Sequence, residues 1–193
     1  ALAIFYPFQY SEDDLTDLGA LAVQQYPDAV TTVRDWARAF VLGNPTDTLS
    51  LLKDLNTGIL AWVSYESRDD EGTQTPAQTL DRRRGSCRDM AVLLMEAARS
   101  LGFGARIVSG YFYDPDRDGA MPGPAPTTHA WTEIYLPGAG WIAFDPTNGT
   151  VGGAHLVPVA VGRDIRQVMP VVGSFVGMSD AFLGMSAEVF VTS

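Results

Sequence analysis

One segment near the middle of the chain constrains the fold more than any other. Over residues 87–101 apolar side chains occupy more than one face of a helix, with the unbroken run Met90-Ala91-Val92-Leu93-Leu94-Met95. A helix that is apolar on several faces is buried on several sides. We therefore predict that this helix crosses the middle of the domain and ends at Gly102.

Helical spacing precedes this segment, and strand spacing follows it. We predict one helix over residues 28–42 and a second helix that Thr46 and Asp47 cap and that ends near Val63. Residues 66–86 are polar and contain Gly and Pro, which predicts a loop. Alternating and β-branched segments then predict strands over residues 105–113, 128–136, 141–145, 156–161 and 184–191.

Helices followed by strands favour an α+β fold with an antiparallel sheet over an alternating βαβ fold. The 193 residues, of which 46% are hydrophobic, suffice for one compact domain. We therefore expect residues 1–193 to form a single domain. The chain opens with the strand-like stretch ALAIFYPFQY and without an initiator methionine, so we expect it to be the C-terminal part of a longer polypeptide.

The net charge of the chain disfavours some classes of binding partner. Lys and Arg number 13 against 23 Asp and Glu, a formal net charge of -10, which disfavours nucleic acid and anionic membrane surfaces as partners. The sequence lacks the roughly 20 continuous apolar residues of a membrane span. One free cysteine and no recognisable signal segment favour the cytoplasm. The oligomeric state stays open.

Cys87 is the single cysteine, so it forms no internal disulfide or multi-thiolate zinc site, and we expect neither metal nor cofactor. Its context GSCRD has the form of a capping box, with Ser86 as N-cap and Asp89 at the third helical position. Cys87 then lies at the first position, where the helix N-terminus favours a nucleophilic thiolate. Gly85 leaves room for a substrate carbonyl, and the Cys87 N–H can donate to an oxyanion. The alternative is a buried structural cysteine.

A histidine and an aspartate complete a candidate catalytic set. If residues 136–138 form a three-residue turn, Tyr135 pairs with Ala139, and His129 lies opposite Asp145 on the same face of the sheet. Asp145 can then orient the imidazole, whose other nitrogen faces the cysteine. Together they supply a nucleophile, a base and an orienting carboxylate for covalent acyl transfer.

Three blocks of the sequence resemble the motifs of the bacterial transglutaminase-like superfamily, whose members are often assigned as cysteine proteases. They are GSCRDMAVLLMEAARSLGFGARIVSGYF, HAWTEIYLPGAGW and FDPTNG, and the likeness extends over about residues 1–177. The resemblance implies a papain-like α+β fold in which the Cys helix packs on an antiparallel sheet. It also implies Cys87 as nucleophile, His129 as general base and acid, and Asp145 as orienting carboxylate. Animal members use calcium for activation, but the chemistry needs no metal.

Other residues are candidates with open alternatives. Gln74 and Ser86 are possible oxyanion or cleft groups, because papain-like enzymes use an amide from the preceding loop; exposure or a structural role is favoured for Gln74. Trp131 is a cleft wall or a core aromatic, and Glu133 and His155 are structural. Residues 114–119 imitate the start of an EF-hand loop, but the twelfth position is Ala125 rather than Glu, which argues against calcium. Residues 114–127 fit a flap beside the His strand.

The function that these patterns predict is cysteine-dependent acyl transfer on a peptide or protein amide through a thioester. Water as acceptor gives protease or amidase activity, which is favoured, whereas a primary amine gives transglutamination. Arylamine acetyltransferases and peptide N-glycanases share the Cys, His, Asp order, but the chain lacks their basic cluster for coenzyme A or their paired zinc cysteines. The alternative from a different class is a catalytically silent, papain-like peptide-binding module.

Overall fold

The computed structural model describes residues 3–26, 30–67, 72–113, 127–174 and 176–178, together with residues 181 and 184. Helices dominate the first half of this part of the chain: α1 (Glu12–Leu18), α2 (Val30–Arg38), α3 (Thr48–Trp62), α4 (Pro76–Arg82) and α5 (Cys87–Ser100). Short 3-10 helices cover Gly19–Ala22 and Ile165–Gln167. No helix of the described residues is both long and apolar enough to cross a membrane.

Two small strand pairs accompany the helices. Strand β1 (Phe5–Tyr6) pairs antiparallel with β2 (Thr46–Asp47), which directly precedes α3. Strand β3 (Ser64–Tyr65) pairs parallel with β4 (Arg84–Gly85), which directly precedes Ser86 and α5. The second pair therefore connects the end of α3 to the start of α5.

The second half of the described chain forms an antiparallel sheet. Its strands are β5 (Gly104–Phe112), β6 (Thr127–Leu136), β7 (Gly140–Asp145), β8 (Thr150–Val151) and β9 (Leu156–Gly162), in the order β8-β7-β6-β5-β9. Every neighbouring pair is antiparallel. The predicted α+β class with an antiparallel sheet is confirmed.

Helix α5 lies in the middle of the fold, as its apolar sequence predicts. Every residue from Asp89 to Arg99 is buried. The helix packs against α2, α3 and α4 as well as strands β5 and β6. On the sheet side, the Thr132 hydroxyl donates a 2.7 Å hydrogen bond to the Ala91 carbonyl. This bond joins the second turn of α5 to the middle of β6.

Two buried charged residues join α5 to its surroundings. The Arg99 guanidinium lies 2.9 Å from the Glu96 carboxylate and also donates to the carbonyls of Leu21, Ala105 and Arg163. Glu96 in turn accepts from the Gln25 backbone N–H at 2.9 Å. Because both charges have close partners, their burial is tolerated, and they fix the C-terminal half of α5.

Several predicted boundaries are wrong. The helix expected over 28–42 is α2, which ends at Arg38, and its predicted start falls on residues that the structure does not describe. The loop expected over 66–86 contains α4 and β4, because a Thr75–Gln78 capping box with Pro76 at the first position starts a helix there. Helix α1, capped by Ser11, was not predicted. Most of the strand predicted over 184–191 lies outside the described residues.

The predicted register between β6 and β7 is also wrong by two residues. Tyr135 pairs with Trp141, and Leu136 with Gly140, so residues 137–139 form the loop. The Ala139 N–H closes this loop by donating to the Leu136 carbonyl at 2.9 Å. Since side chains alternate with period two, a shift of two residues leaves every side chain on its predicted face. His129 and Asp145 become diagonal neighbours instead of direct partners.

We predict that Gly110→Ala strongly destabilises the fold. Gly110 pairs with His129 across β5 and β6, and an added Cβ would lie 2.0 Å from the Val157 carbonyl oxygen of β9. Backbone must then move, so we expect a loss of about 3 kcal/mol, at the upper end of overpacking effects. Urea denaturation measures it. The matched control is Gly153→Ala, whose Cβ meets nothing within 4 Å; equal stability of the two variants would contradict the prediction.

Candidate active site

Cys87 is the first residue of α5, as predicted, and its side chain is partly exposed. Strand β4 delivers the chain to this point, with Ser86 as the N-cap of the helix. The first N–H groups of a helix have no acceptor within the helix, and the macrodipole places partial positive charge at this end. The thiol thus lies at the exposed, positive end of an otherwise buried helix.

His129 near the start of β6 and Asp145 at the end of β7 approach each other on one face of the sheet. His129 Nε2 donates to Asp145 Oδ2 at 2.8 Å, and both side chains are buried. Cys87 lies close enough to the imidazole for its sulfur to raise the pKa of His129. Because Asp145 takes Nε2, the nitrogen left for Cys87 is Nδ1. The structure brings the three predicted residues together.

Asp145 is held in place by the turn that follows β7. The backbone N–H groups of Thr147 and Asn148 donate to Asp145 Oδ1 at 3.0 and 3.3 Å, and Asn148 Nδ2 donates to Oδ2 at 2.7 Å. Asp145 itself is 0% exposed. Asn148 was not predicted as a site residue, although an Asp followed by Pro, Thr and Asn is typical of such a side-chain-stabilised turn.

These contacts shift the pKa values of both partners. Burial lowers the pKa of His129, but the hydrogen bonds and negative charges of Asp145 and Cys87 outweigh it and raise that pKa to about 9. Burial raises the pKa of Asp145, but the His129 and Asn148 hydrogen bonds and the His129 charge outweigh it, so that the pKa is lowered. At neutral pH the pair is therefore an imidazolium and a carboxylate.

Gln74 is buried, which leaves the structural role of the two alternatives that the sequence favoured. It is 4% exposed, and its Nε2 donates to the Arg84 carbonyl at 3.1 Å and to Asp89 Oδ2 at 3.3 Å. Both amide hydrogens are engaged, so Gln74 has a structural role rather than that of a ready oxyanion donor. Ser86 is likewise buried, and its hydroxyl donates to Asp89 Oδ2 at 2.9 Å. Among the groups predicted to bind an oxyanion, these contacts leave the Cys87 N–H as the candidate donor.

Tyr65, which the sequence analysis did not single out, lies beside the site. It pairs with Gly85 across β3 and β4 and is 57% exposed. Partial burial and the negative charge of Cys87 raise the pKa of the Tyr65 phenol, while Arg88 lowers it. The phenol is therefore protonated at neutral pH and lies within electrostatic reach of the cysteine.

The remaining candidates are structural or lie outside the described residues. Trp131 is 1% exposed and stacks beside His129 with ring centroids 6.2 Å apart, so it is a core aromatic and not a cleft wall. Glu133 pairs with Arg106 at 2.7 Å, and His155 Nδ1 lies 3.2 Å from the Tyr113 carbonyl oxygen. The EF-hand-like stretch with Ala125, and most of the predicted flap, fall in residues 114–126, outside the described part.

The described residues hold no group of three or more His, Cys, Asp or Glu side chains able to bind a metal ion. They hold instead a neighbouring cysteine, histidine and aspartate: His129 lies beside Cys87 and is hydrogen-bonded to Asp145. A Cys helix packed on an antiparallel sheet that carries the His and Asp defines a papain-like α+β protein. The chain belongs to the transglutaminase-like superfamily, whose profile matches residues 34–146, more than half of its length.

Two mycobacterial proteins are similar to the chain in sequence. The chain is 34% identical over 111 residues to an uncharacterized protein of Mycobacterium leprae, a match that covers 57% of this chain and 39% of that protein. It is 28% identical over 172 residues to an uncharacterized protein of Mycobacterium tuberculosis, covering 84% and 54%. The chain thus spans about half the length of these curated relatives.

Solved structures have the same fold. A protein of Cytophaga hutchinsonii assigned as a cysteine protease superposes with a TM-score of 0.63 at 26% identity, over 78% of this chain and 48% of that one. The periplasmic domain of TgpA from Pseudomonas aeruginosa superposes with a TM-score of 0.50 at 22% identity, over 72% and 49%. The second likeness concerns the fold alone.

We predict that His129 stays protonated through neutral pH and titrates near pH 9. Because this pKa exceeds the ordinary value of about 6.5, its contribution to stability is complete below pH 6.5 and is lost as the pH rises through 9. Imidazole NMR measures the midpoint. Asp145→Asn should lower it, since it removes a hydrogen bond and a negative charge. A midpoint near 6.5 in the unmodified protein, or one unchanged by Asp145→Asn, would contradict the prediction.

Proposed function

We propose that the protein catalyses cysteine-dependent acyl transfer on peptide or protein amides, with Cys87, His129 and Asp145 as its catalytic residues. The observation that carries this proposal is the position of His129, hydrogen-bonded to Asp145 at 2.8 Å and close enough to Cys87 for the sulfur to raise the His129 pKa. Membership of the transglutaminase-like superfamily supports it, as does the likeness to the Cytophaga hutchinsonii protein.

The proposed reaction begins with the thiolate of Cys87 attacking the amide carbonyl carbon. The carbonyl π electrons move to oxygen, and the Cys87 backbone N–H donates to the oxyanion that forms. His129, protonated at neutral pH, gives its Nδ1 proton to the leaving amine as the C–N bond breaks. The products of this step are a thioester on Cys87 and a free amine.

In the second step, neutral His129 accepts a proton from the nucleophile that attacks the thioester. Water releases a carboxylic acid and completes hydrolysis, whereas a primary amine releases a new amide and completes transamidation. Both outcomes share the acylation step, and thiolate and imidazolium are restored in each. We favour hydrolysis, with transamidation as the alternative that an added amine reveals.

Asp145 acts through His129 in this proposal. Its carboxylate holds the ring so that Nδ1 faces Cys87, and its charge stabilises the imidazolium. The Thr147 and Asn148 contacts keep the carboxylate in this orientation. A silent peptide-binding module would not need a buried, charged and fully hydrogen-bonded pair next to its cysteine, because burial of such groups costs free energy.

We expect iodoacetamide to alkylate native Cys87 faster than free cysteine at pH 6, because the imidazolium of His129 lies beside the sulfur. Mass spectrometry of the native protein follows the reaction over pH. His129→Ala should slow it at pH 6 to the rate of a free thiol, while the control His155→Ala should leave it unchanged. Slow labelling of the unmodified protein, comparable to free cysteine, would favour the silent module.

We expect Cys87→Ala to abolish turnover of peptide amides and to cost about 1 kcal/mol of stability or less, because the side chain is partly exposed. Asp145→Asn should reduce kcat by about 10²–10⁴-fold, the usual range for acid–base groups. Assays with and without a primary amine separate hydrolysis from transamidation. Residual turnover in Cys87→Ala would refute the proposed mechanism.

A further inference from the structure

A buried carboxylate that the proposed reaction does not use lies in the first turn of α5. Asp89 is 0% exposed. Its Oδ2 accepts from the Ser86 backbone N–H at 2.8 Å and from the Ser86 hydroxyl at 2.9 Å. Its Oδ1 accepts from the Gln74 backbone N–H at 2.7 Å, and Oδ2 also accepts from Gln74 Nε2 at 3.3 Å. Asp89 thus ties two separate segments to the start of the helix.

These contacts fix the residue immediately before the cysteine. The Ser86 N–H is bound by Asp89, and the Ser86 carbonyl accepts from the Met90 N–H at 3.0 Å. Both backbone groups of Ser86 are therefore bound, and its carbonyl is part of the Ser86–Cys87 peptide. In a planar trans peptide the N–H points opposite to the carbonyl. Because the Ser86 carbonyl points along the helix toward Met90, the Cys87 N–H points out of its N-terminus.

Gln74 anchors the carboxylate from outside the helix. Its amide Nε2 also donates to the Arg84 carbonyl of β4 at 3.1 Å, which connects Asp89 to the strand that delivers Cys87. The fit is close, because a Cβ on Gly85 would lie 2.8 Å from the Asp89 Cβ. Contacts with Gln74, Ser86 and Gly85 therefore restrict the movement of the Asp89 side chain.

We propose that Asp89, braced by Gln74, is a positioning residue that holds the Cys87 backbone N–H in the direction required of an oxyanion donor. The inference rests on the proposed function, since it assigns a part in the acylation step. It replaces the direct role that the sequence analysis considered for Gln74. Gln74 acts through Asp89 and Ser86 and does not touch the reacting carbonyl.

This role has a signature that a purely structural role lacks. Attack of Cys87 on a carbonyl carbon develops an oxyanion, and a misdirected N–H donor slows it. Attack on iodoacetamide is a displacement at saturated carbon, in which iodide leaves and no oxyanion forms. Loss of Asp89 should therefore slow acylation of Cys87 more than its alkylation, whereas loss of His129 should slow both.

The test compares the two rates on Cys87 in the intact protein. The acylating probe is p-nitrophenyl acetate, which transfers its acetyl group to the thiolate and releases p-nitrophenolate; the alkylating probe is iodoacetamide. We expect Asp89→Asn to lower the ratio of acylation to alkylation at least about tenfold, part of the 10²–10³-fold effect of removing one oxyanion donor. Gln74→Ala, which keeps the carboxylate, should lower the ratio by a smaller factor.

The matched control is Glu96→Gln, which alters another buried carboxylate on the same helix, and its ratio should stay within about twofold of the unmodified protein. Equal slowing of both reactions in Asp89→Asn and Gln74→Ala, or no slowing, would overturn the inference. Failure of the proposed function appears instead in the unmodified protein, as acylation of Cys87 no faster than that of free cysteine. Should Asp89→Asn fail to fold, the ratio for Gln74→Ala decides.

Discussion

The burial of helix α5 is the constraint on which the rest of the structure depends. A helix surrounded by three other helices and a sheet gains hydrophobic stabilisation along its length, but each polar group within it needs an internal partner. Asp89, Glu96 and Arg99 all have such partners. The N-terminal end is where the helix reaches the surface, and Cys87 lies there, so the same packing that buries the helix also presents the thiol.

His129 and Asp145 are both buried and both charged, and this combination determines their pKa values. Burial alone would lower the pKa of His129, but the hydrogen bonding and negative charges of Asp145 and Cys87 raise it to about 9. Asp145 remains a carboxylate because hydrogen bonds from the following turn and from His129 compensate its desolvation. In the proposed reaction, a thiol and a ring held in this way are preorganised for proton transfer.

The sequence predicted the features that depend on local patterns. The apolar run 90–95 identifies the buried helix, the GSCRD pattern identifies its N-terminus, and alternation identifies the strands. Helix α4 carried a recognisable signal in Thr75, Pro76 and Gln78 that the polar composition of the segment obscured. The burial of Gln74 depends on its pairing with Asp89, 15 residues along the chain. Local composition cannot reveal such a contact, and the β6–β7 register likewise depends on which residues form the loop.

The central claim is that Cys87 carries the acyl group during the reaction, and trapping that species tests it most directly. The protein is mixed with a reactive ester or peptide amide, quenched in acid within the first turnover, and analysed by intact-mass and peptide mass spectrometry. The account predicts an acyl adduct on Cys87 that hydroxylamine releases, as it releases a thioester. The Cys87→Ser variant should form no such thioester. Turnover of the substrate without any adduct on Cys87, or an adduct on another residue alone, would contradict it.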